Sequence, residues 1–291
     1  MTINRRAFVQ YSLAGLAAGL TTRPLDAASK TKFKIGVTDW NLRLSAQPEA
    51  VAMAKQCGFQ GVQVALGRKL VDDKLPLDNP EVQRTYLAEA KKNGIALTST
   101  CVDRLHNNYL KNDKLGQKWV SDGIRITKAL GLEVMLLPFF GKGALETHAE
   151  MDYVGDALRD LGPEAEAAGV ILGLEDTVSA EDNVRMMERS RSKAVWTYYD
   201  IGNSSRQGFD PVKEIRWLGK PRICEVHIKD NPHYLGEGKI DIGGVVDALA
   251  DIGYDRWTVL ETDTPSKEVV ADMKKNLAYF RSRIEQHNAS A

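Results

Sequence analysis

Cysteine is scarce in this chain. Cys57, Cys101 and Cys224 are the only three in 291 residues, they lie far apart, and no C-x-x-C pair occurs. That excludes a small disulfide scaffold, a cysteine zinc site and thioredoxin-like chemistry, and the three read as buried apolar thiols. Net charge is lacking too: Lys plus Arg and Asp plus Glu each number 39. With no positive field to hold a phosphate backbone, nucleic acid is not an expected partner. Long hydrophobic runs are also missing. The apolar stretch at 7–20 is interrupted by Gln10, Tyr11 and Ser12, short of the about 20 residues that a membrane-spanning helix needs. What is present, 43% hydrophobic and 27% charged residues, is ordinary globular composition and leaves no room for disorder or collagen.

The first residues stand apart from the rest. Asn4-Arg5-Arg6-Ala7-Phe8-Val9-Gln10, the mild apolar stretch and the small-residue segment Asp26-Ala27-Ala28-Ser29 resemble a twin-arginine export signal. The expected division is a signal at 1–28 and one folded domain at 29–291. Cleavage would remove three arginines and one aspartate and leave a slightly acidic protein; an uncleaved anchor is the alternative. The resemblance implies a periplasmic or otherwise exported protein, with no stable membrane span after cleavage. This route carries folded chains, so a metal ion can be loaded before export.

Beyond the leader, short β-rich apolar runs alternate with helical stretches. Eight strands are predicted at 33–37, 61–65, 96–101, 134–138, 171–175, 195–200, 223–229 and 257–261. Helical segments are predicted at 80–92, 115–130, 153–168, 211–218, 245–252 and about 266–286. Gly94, Gly131, Gly169 and Gly253 stand where helices must turn into the next strand. Eight βα units match the about 250 residues of a (β/α)8, or TIM, barrel. A doubly wound nucleotide-binding sheet is the rival, but Ile35-Gly36-Val37-Thr38-Asp39 lacks the G-x-G-x-x-G turn that cradles phosphate. The expectation is therefore an α/β fold, a single TIM barrel preceded by an export signal.

In a TIM barrel the chemistry sits at the carboxyl ends of the strands. Strands five to eight end in Glu175-Asp176, Tyr199-Asp200, Val226-His227 and Leu260-Glu261. Taken singly, a strand-ending acid often caps the next helix, and a histidine is more often a satisfied core residue than a ligand. Together, Glu175, Asp200, His227 and Glu261 occupy the same place on four consecutive strands. Three carboxylates sharing one pocket would take up protons unless a cation sits among them. Oxygen-rich ligation with one imidazole points to a single divalent metal ion, with Mn, Mg or Co favoured over Zn.

Gly173-Leu174-Glu175, Asp200-Ile201-Gly202-Asn203, His227-Ile228-Lys229-Asp230, Gly236-Glu237-Gly238-Lys239-Ile240-Asp241 and Leu260-Glu261 resemble the xylose-isomerase-like superfamily of sugar phosphate isomerases and epimerases, closest in pattern to the D-tagatose 3-epimerase type. The resemblance covers most of the chain as a fold, with its specific motifs between 175 and 261. It implies that Glu175, Asp200, His227 and Glu261 bind one divalent metal, and that Glu175 and Glu261 are also the catalytic acid and base on opposite faces of the sugar. The chemistry needs two, because moving a proton beside a carbonyl from one face to the other requires a remover and a donor.

The same resemblance makes Glu181 a substrate-contacting carboxylate, with a solvated helix-start acid as the alternative. Asn203 stands where the family typically has histidine, so either the polyol contact or a second metal site is altered; asparagine can still donate to a sugar hydroxyl but is a poor metal ligand. Lys229 and His233 are candidate substrate contacts. Trp40 in Asp39-Trp40-Asn41 and the pair Phe139-Phe140 before Gly141-Lys142 are candidate stacking surfaces for a sugar ring with polar neighbours for its hydroxyls, or else a plug at the barrel mouth or a subunit contact. Strand two ends without histidine and His106 lies beyond strand three, so the trinuclear zinc cluster of endonuclease IV is incomplete. The expected function is a metal-dependent isomerase or epimerase of a free sugar or keto-sugar, since phosphorylated sugars are mostly retained inside cells. The main alternative is a metal-dependent lyase or dehydratase acting on a keto-sugar or 3-keto-glycoside. An abasic-site endonuclease and a non-catalytic carbohydrate-binding protein are lesser alternatives. The expected partner is a small carbohydrate substrate, and the superfamily's habit of forming dimers or tetramers implies a homo-oligomer.

Overall fold

The computed structural model describes residues 30–291, so the export signal expected at 1–28 lies outside the described residues. Eight parallel strands close into a barrel in chain order: β1 Lys34–Thr38, β2 Gly61–Ala65, β3 Ala96–Cys101, β4 Val134–Pro138, β5 Ile171–Glu175, β6 Val195–Asp200, β7 Ile223–Ile228 and β8 Trp257–Leu260. β1 pairs with both β2 and β8, which seals the sheet. Around it lie α1 Glu49–Cys57, α2 Pro80–Asn93, α3 Lys114–Ala129, α4 His148–Ala168, α5 Ala180–Ser190, α6 Ile201–Arg206, α7 Pro211–Leu218, α8 Ile242–Asp251 and α9 Val269–Ser290. This is the single TIM barrel that the βα rhythm predicts. No helix among the described residues is long and apolar enough to cross a membrane.

Every strand falls within one residue of its predicted span, because each is a short apolar run ended by a polar residue or a turn. The differences have local causes. α4 begins at His148 rather than 153 because Thr147 and Glu150 form a reciprocal capping box that satisfies the helix's first N–H groups. α8 starts at Ile242, three residues earlier than predicted, because the Asp241 side chain accepts from Gly244 N and tolerates the glycine pair. α1, α5 and the short α6 are not among the predicted helices; α5 nevertheless carries a start signal, Ser179, whose side chain accepts from Asp182 N. The four predicted helix-ending glycines all adopt positive φ, from 62° to 71°.

Below the rim, the barrel interior is partly polar. Glu225, 1% exposed, accepts hydrogen bonds from Ser99 Oγ (2.7 Å) and Tyr198 OH (2.9 Å), and burial pushes its carboxyl up to about 7. The Tyr198 ring meets His227 edge-on at 4.6 Å between centroids. All three cysteines are free and buried, with Cys101 and Cys224 packed near Leu136 and Tyr198, as their scarcity and spacing predict.

Asp39, fully buried at the end of β1, ties the first loop to the second strand. Its Oδ2 accepts from Ala46 N (2.9 Å) and Ala65 N (3.0 Å). Burial outweighs these bonds and raises its carboxyl from the ordinary 3.8 to about 8. The folded chain therefore keeps a proton that the unfolded chain releases above about pH 4, so this group's stabilisation falls as pH rises from there to about 8 and then levels off. Asp39→Asn removes that proton exchange. The stability of the variant relative to the wild type, read from urea midpoints, is expected to rise steadily between pH 5 and pH 8; a constant difference would mean the folded carboxyl is ionised throughout.

Candidate active site

Strand register assembles the rim. On the β6–β7 pair Asp200 stands opposite His227, and on the β7–β8 pair Ile228 stands opposite Leu260. Lys229 and Glu261, the first residues beyond those strands, are thus neighbours. Glu175 closes the group from β5. One ligand atom from each of Glu175, Asp200, His227 and Glu261 lies within 4.8 Å of all the others, so the four residues that the sequence aligned at strand ends share one centre. It is the one such group of metal-ligating side chains among the described residues.

The imidazole of His227 orders the centre. Its Nδ1 lies 2.7 Å from Glu175 Oε1, 3.5 Å from Asp200 Oδ2 and 3.6 Å from Glu261 Oε2. Its Nε2 lies 2.7 Å from Gln63 Oε1. Burial disfavours a charge on this ring, but the surrounding carboxylates outweigh burial and raise its pKa. Burial likewise raises Glu175, opposed by His227. Burial would raise Asp200 as well, yet the Lys229 and His227 charges bring it below the usual carboxylate range.

Lys229 is where the structure adds most to the sequence reading. Its Nζ sits 2.8 Å from Asp200 Oδ2 and 2.5 Å from Glu261 Oε2, inside the carboxylate cluster. The premise that only a metal could balance the acids thus needs correcting, because an ammonium already offsets one of them. The lysine stem passes over Gly202, where a Cβ would come within 2.5 Å of its Cγ; glycine is needed for that close approach.

Asp200 serves both uses weighed for a strand-ending acid. Its Oδ1 accepts from Asn203 N at 2.7 Å and caps α6, while its Oδ2 faces the cluster. Glu261 is steered by Trp40, whose Nε1–H donates to Glu261 Oε1 at 2.8 Å. The glycine-rich segment after β7 is structural: the Asp230 carboxylate accepts from Gly238 N (2.9 Å) and Lys239 N (3.1 Å) and fixes that loop.

A cavity of about 430 Å³ opens over the cluster, and Trp40, Asn203, Lys229, Glu175 and Glu261 line it. Glu181, in the first turn of α5, and His233, in the loop after β7, are both exposed and are not among its lining residues. The structure therefore does not bring these two to the cluster. Glu181 instead takes the alternative place, an acid at a helix start, where it meets the positive end of the helix dipole. Gln63, Arg68, Asp103 and Arg206 were not singled out in the sequence. Only Gln63 carried a signal, as a polar residue near the end of β2 that faces inward.

The donor set fits a divalent ion. Three carboxylates against one ammonium leave two negative charges, which one such ion cancels. When His227 donates Nε2–H to Gln63 Oε1, its Nδ1 lone pair faces the carboxylates, the tautomer a metal ligand needs.

Among proteins of known activity, the chain is 24% identical over 204 residues to the 2-epi-5-epi-valiolone 7-phosphate 2-epimerase of Actinoplanes sp., covering 70% of this chain and 74% of that protein. Solved structures share the fold. L-ribulose 3-epimerase superposes with a TM-score of 0.73 at 17% identity, covering 88% of this chain and 96% of its own. D-psicose 3-epimerase from Clostridium cellulolyticum gives 0.72 at 18%, covering 87% and 99%. The 3-keto-D-glucoside 4-epimerase of E. coli gives 0.70 at 18%, covering 86% and 100%. The family model of the xylose isomerase-like TIM barrel matches residues 51–283. With the closed barrel and its rim cluster, that match over most of the chain shows that this protein belongs to the xylose isomerase-like TIM barrel family.

Proposed function

We propose that the protein is a metal-dependent isomerase or epimerase of a free sugar or keto-sugar. The convergence of Glu175, Asp200, His227 and Glu261 within 4.8 Å carries this reading, and the epimerase activities named for its relatives support it. The four side chains would hold one divalent ion, with Mn, Mg or Co suiting the oxygen-rich set better than Zn. When bound, the ion would supply electrostatic stabilisation of the negative charge that develops on the substrate oxygens.

The chain's own residues do the rest. One of Glu175 and Glu261 removes the proton from the carbon beside the carbonyl; the C–H electron pair becomes the C=C bond of the enediolate while the carbonyl π pair moves onto its oxygen. The other glutamate returns a proton to the opposite face, and the pair then exchanges protonation states with solvent. Trp40 holds Glu261 in place through its N–H, and Gln63 holds the His227 ring. Lys229 supplies a positive charge beside Glu261 and Asp200, where a developing oxyanion gains most. Asn203 presents an amide to a substrate hydroxyl. The twin-arginine-like leader belongs to the same proposal, since an exported enzyme meets unphosphorylated sugars.

Incubating metal-loaded protein with a panel of ketoses and keto-glycosides in D₂O tests the reaction. Products of unchanged skeleton carrying one deuterium at the exchanging carbon are expected. Loss of a group from the adjacent carbon would instead show the lyase, and no exchange with any sugar would leave a binding protein.

A further inference from the structure

The carboxylate cluster occupies one side of the cavity. The side formed by the loops after β2, β3 and β4 holds Arg68, Asp103, His106 and Phe140, none of which the proposed reaction uses. His106 and Phe140 are stacked, with centroids 6.2 Å apart and planes inclined by 26°. Burial and the Arg68 charge push the imidazole down to about 4, so at neutral pH the pair is an uncharged flat surface.

Asp103 is 8% exposed, and its Oδ1 is buried with no hydrogen-bond partner among the described residues. Asn203, 4% exposed, also lines the cavity and carries an unpartnered Nδ2. Buried polar atoms without partners are rare in native proteins. The orphaned Asp103 acceptor on this side suits a ligand hydroxyl that donates, while the Asn203 donor serves the cluster side of the same cavity. The Arg68 charge acts on Asp103, and its guanidinium forms no ion pair among the described residues, so its planar donors remain available. An apolar platform flanked by a carboxylate and a guanidinium is the chemistry that takes a sugar ring, with C–H groups on the aromatic face and hydroxyls at the edge.

We propose that this side of the cavity is a second carbohydrate subsite, in which a sugar ring packs on His106 and Phe140 while Asp103 and Arg68 bind its hydroxyls. The substrate is then a two-unit glycoside whose keto unit lies at Glu175 and Glu261. This rests on the reading of the cluster as a keto-sugar site.

Calorimetric titration of the metal-loaded protein with D-fructose and with the glucosyl- and galactosyl-fructoses isomaltulose, turanose and lactulose tests it. At least one disaccharide is expected to bind tenfold or more tightly than fructose. That preference should collapse to within twofold in Asp103→Ala and in Phe140→Ala, with metal content at the wild-type level as the check on folding. Equal affinity for fructose and all three disaccharides, or a preference that survives in both variants, overturns the subsite. Deuterium uptake from D₂O into the bound sugars is read in the same samples. A preference with the expected mutational pattern but no uptake defeats the proposed reaction and leaves the subsite standing.

Discussion

Glu175→Gln and Glu261→Gln are each expected to slow sugar interconversion by about 10²–10⁴-fold, the usual share of a general acid or base. Glutamine keeps the shape and one oxygen of the carboxylate but cannot carry the proton. The two variants should fail differently. Each retains one functional glutamate, so each should still exchange deuterium into the epimer whose C–H faces that residue, while conversion to the other epimer stops. NMR of each epimer in D₂O reads both events at once. Metal content must be measured alongside, because both residues belong to the cluster. Interconversion and exchange at wild-type rates in both variants would remove these glutamates from the chemistry.

Stripping the metal should have the second largest effect. With the ion gone, the three acids remain together, three of the cluster's four members are buried, and only Lys229 and a protonated His227 are left to oppose them. An ion present at 100 times its Kd stabilises the folded state by about 2.7 kcal/mol. For a chain of this size that corresponds to a fall in Tm of about 5 °C on chelation, together with loss of turnover. Mn, Mg or Co should restore both, and Asp200→Asn should bind metal more weakly. If chelator leaves Tm and turnover unchanged, Lys229 and His227 suffice to balance the cluster and the metal reading fails.

Much of this was legible in the linear chain. Strands here are short apolar runs, each ended by a polar residue or a turn, and a parallel barrel places every strand's carboxyl end on one rim. Position along a strand thus translates directly into position in space, which is why the linear chain alone aligns Glu175, Asp200, His227 and Glu261. Glu181 shows where that logic stops: six residues past its strand it has entered α5, whose rotation turns it to solvent.

The contacts that tune the site follow another rule. Trp40 reaches Glu261 across 221 residues of sequence, and Gln63 reaches His227 across 164; both meet only because the first strands close against the last. The position of Lys229 inside the cluster depends on the β7–β8 register and on the missing side chain of Gly202. The pairing of His106 with Phe140 depends on how two loops fold over the rim. Apolar periodicity and strand-end chemistry are local, so the chain alone determined the barrel and its four candidate ligands. Side-chain orientation and barrel closure are not local, so only the tertiary structure decided which neighbours hold those ligands and what else the cavity can bind.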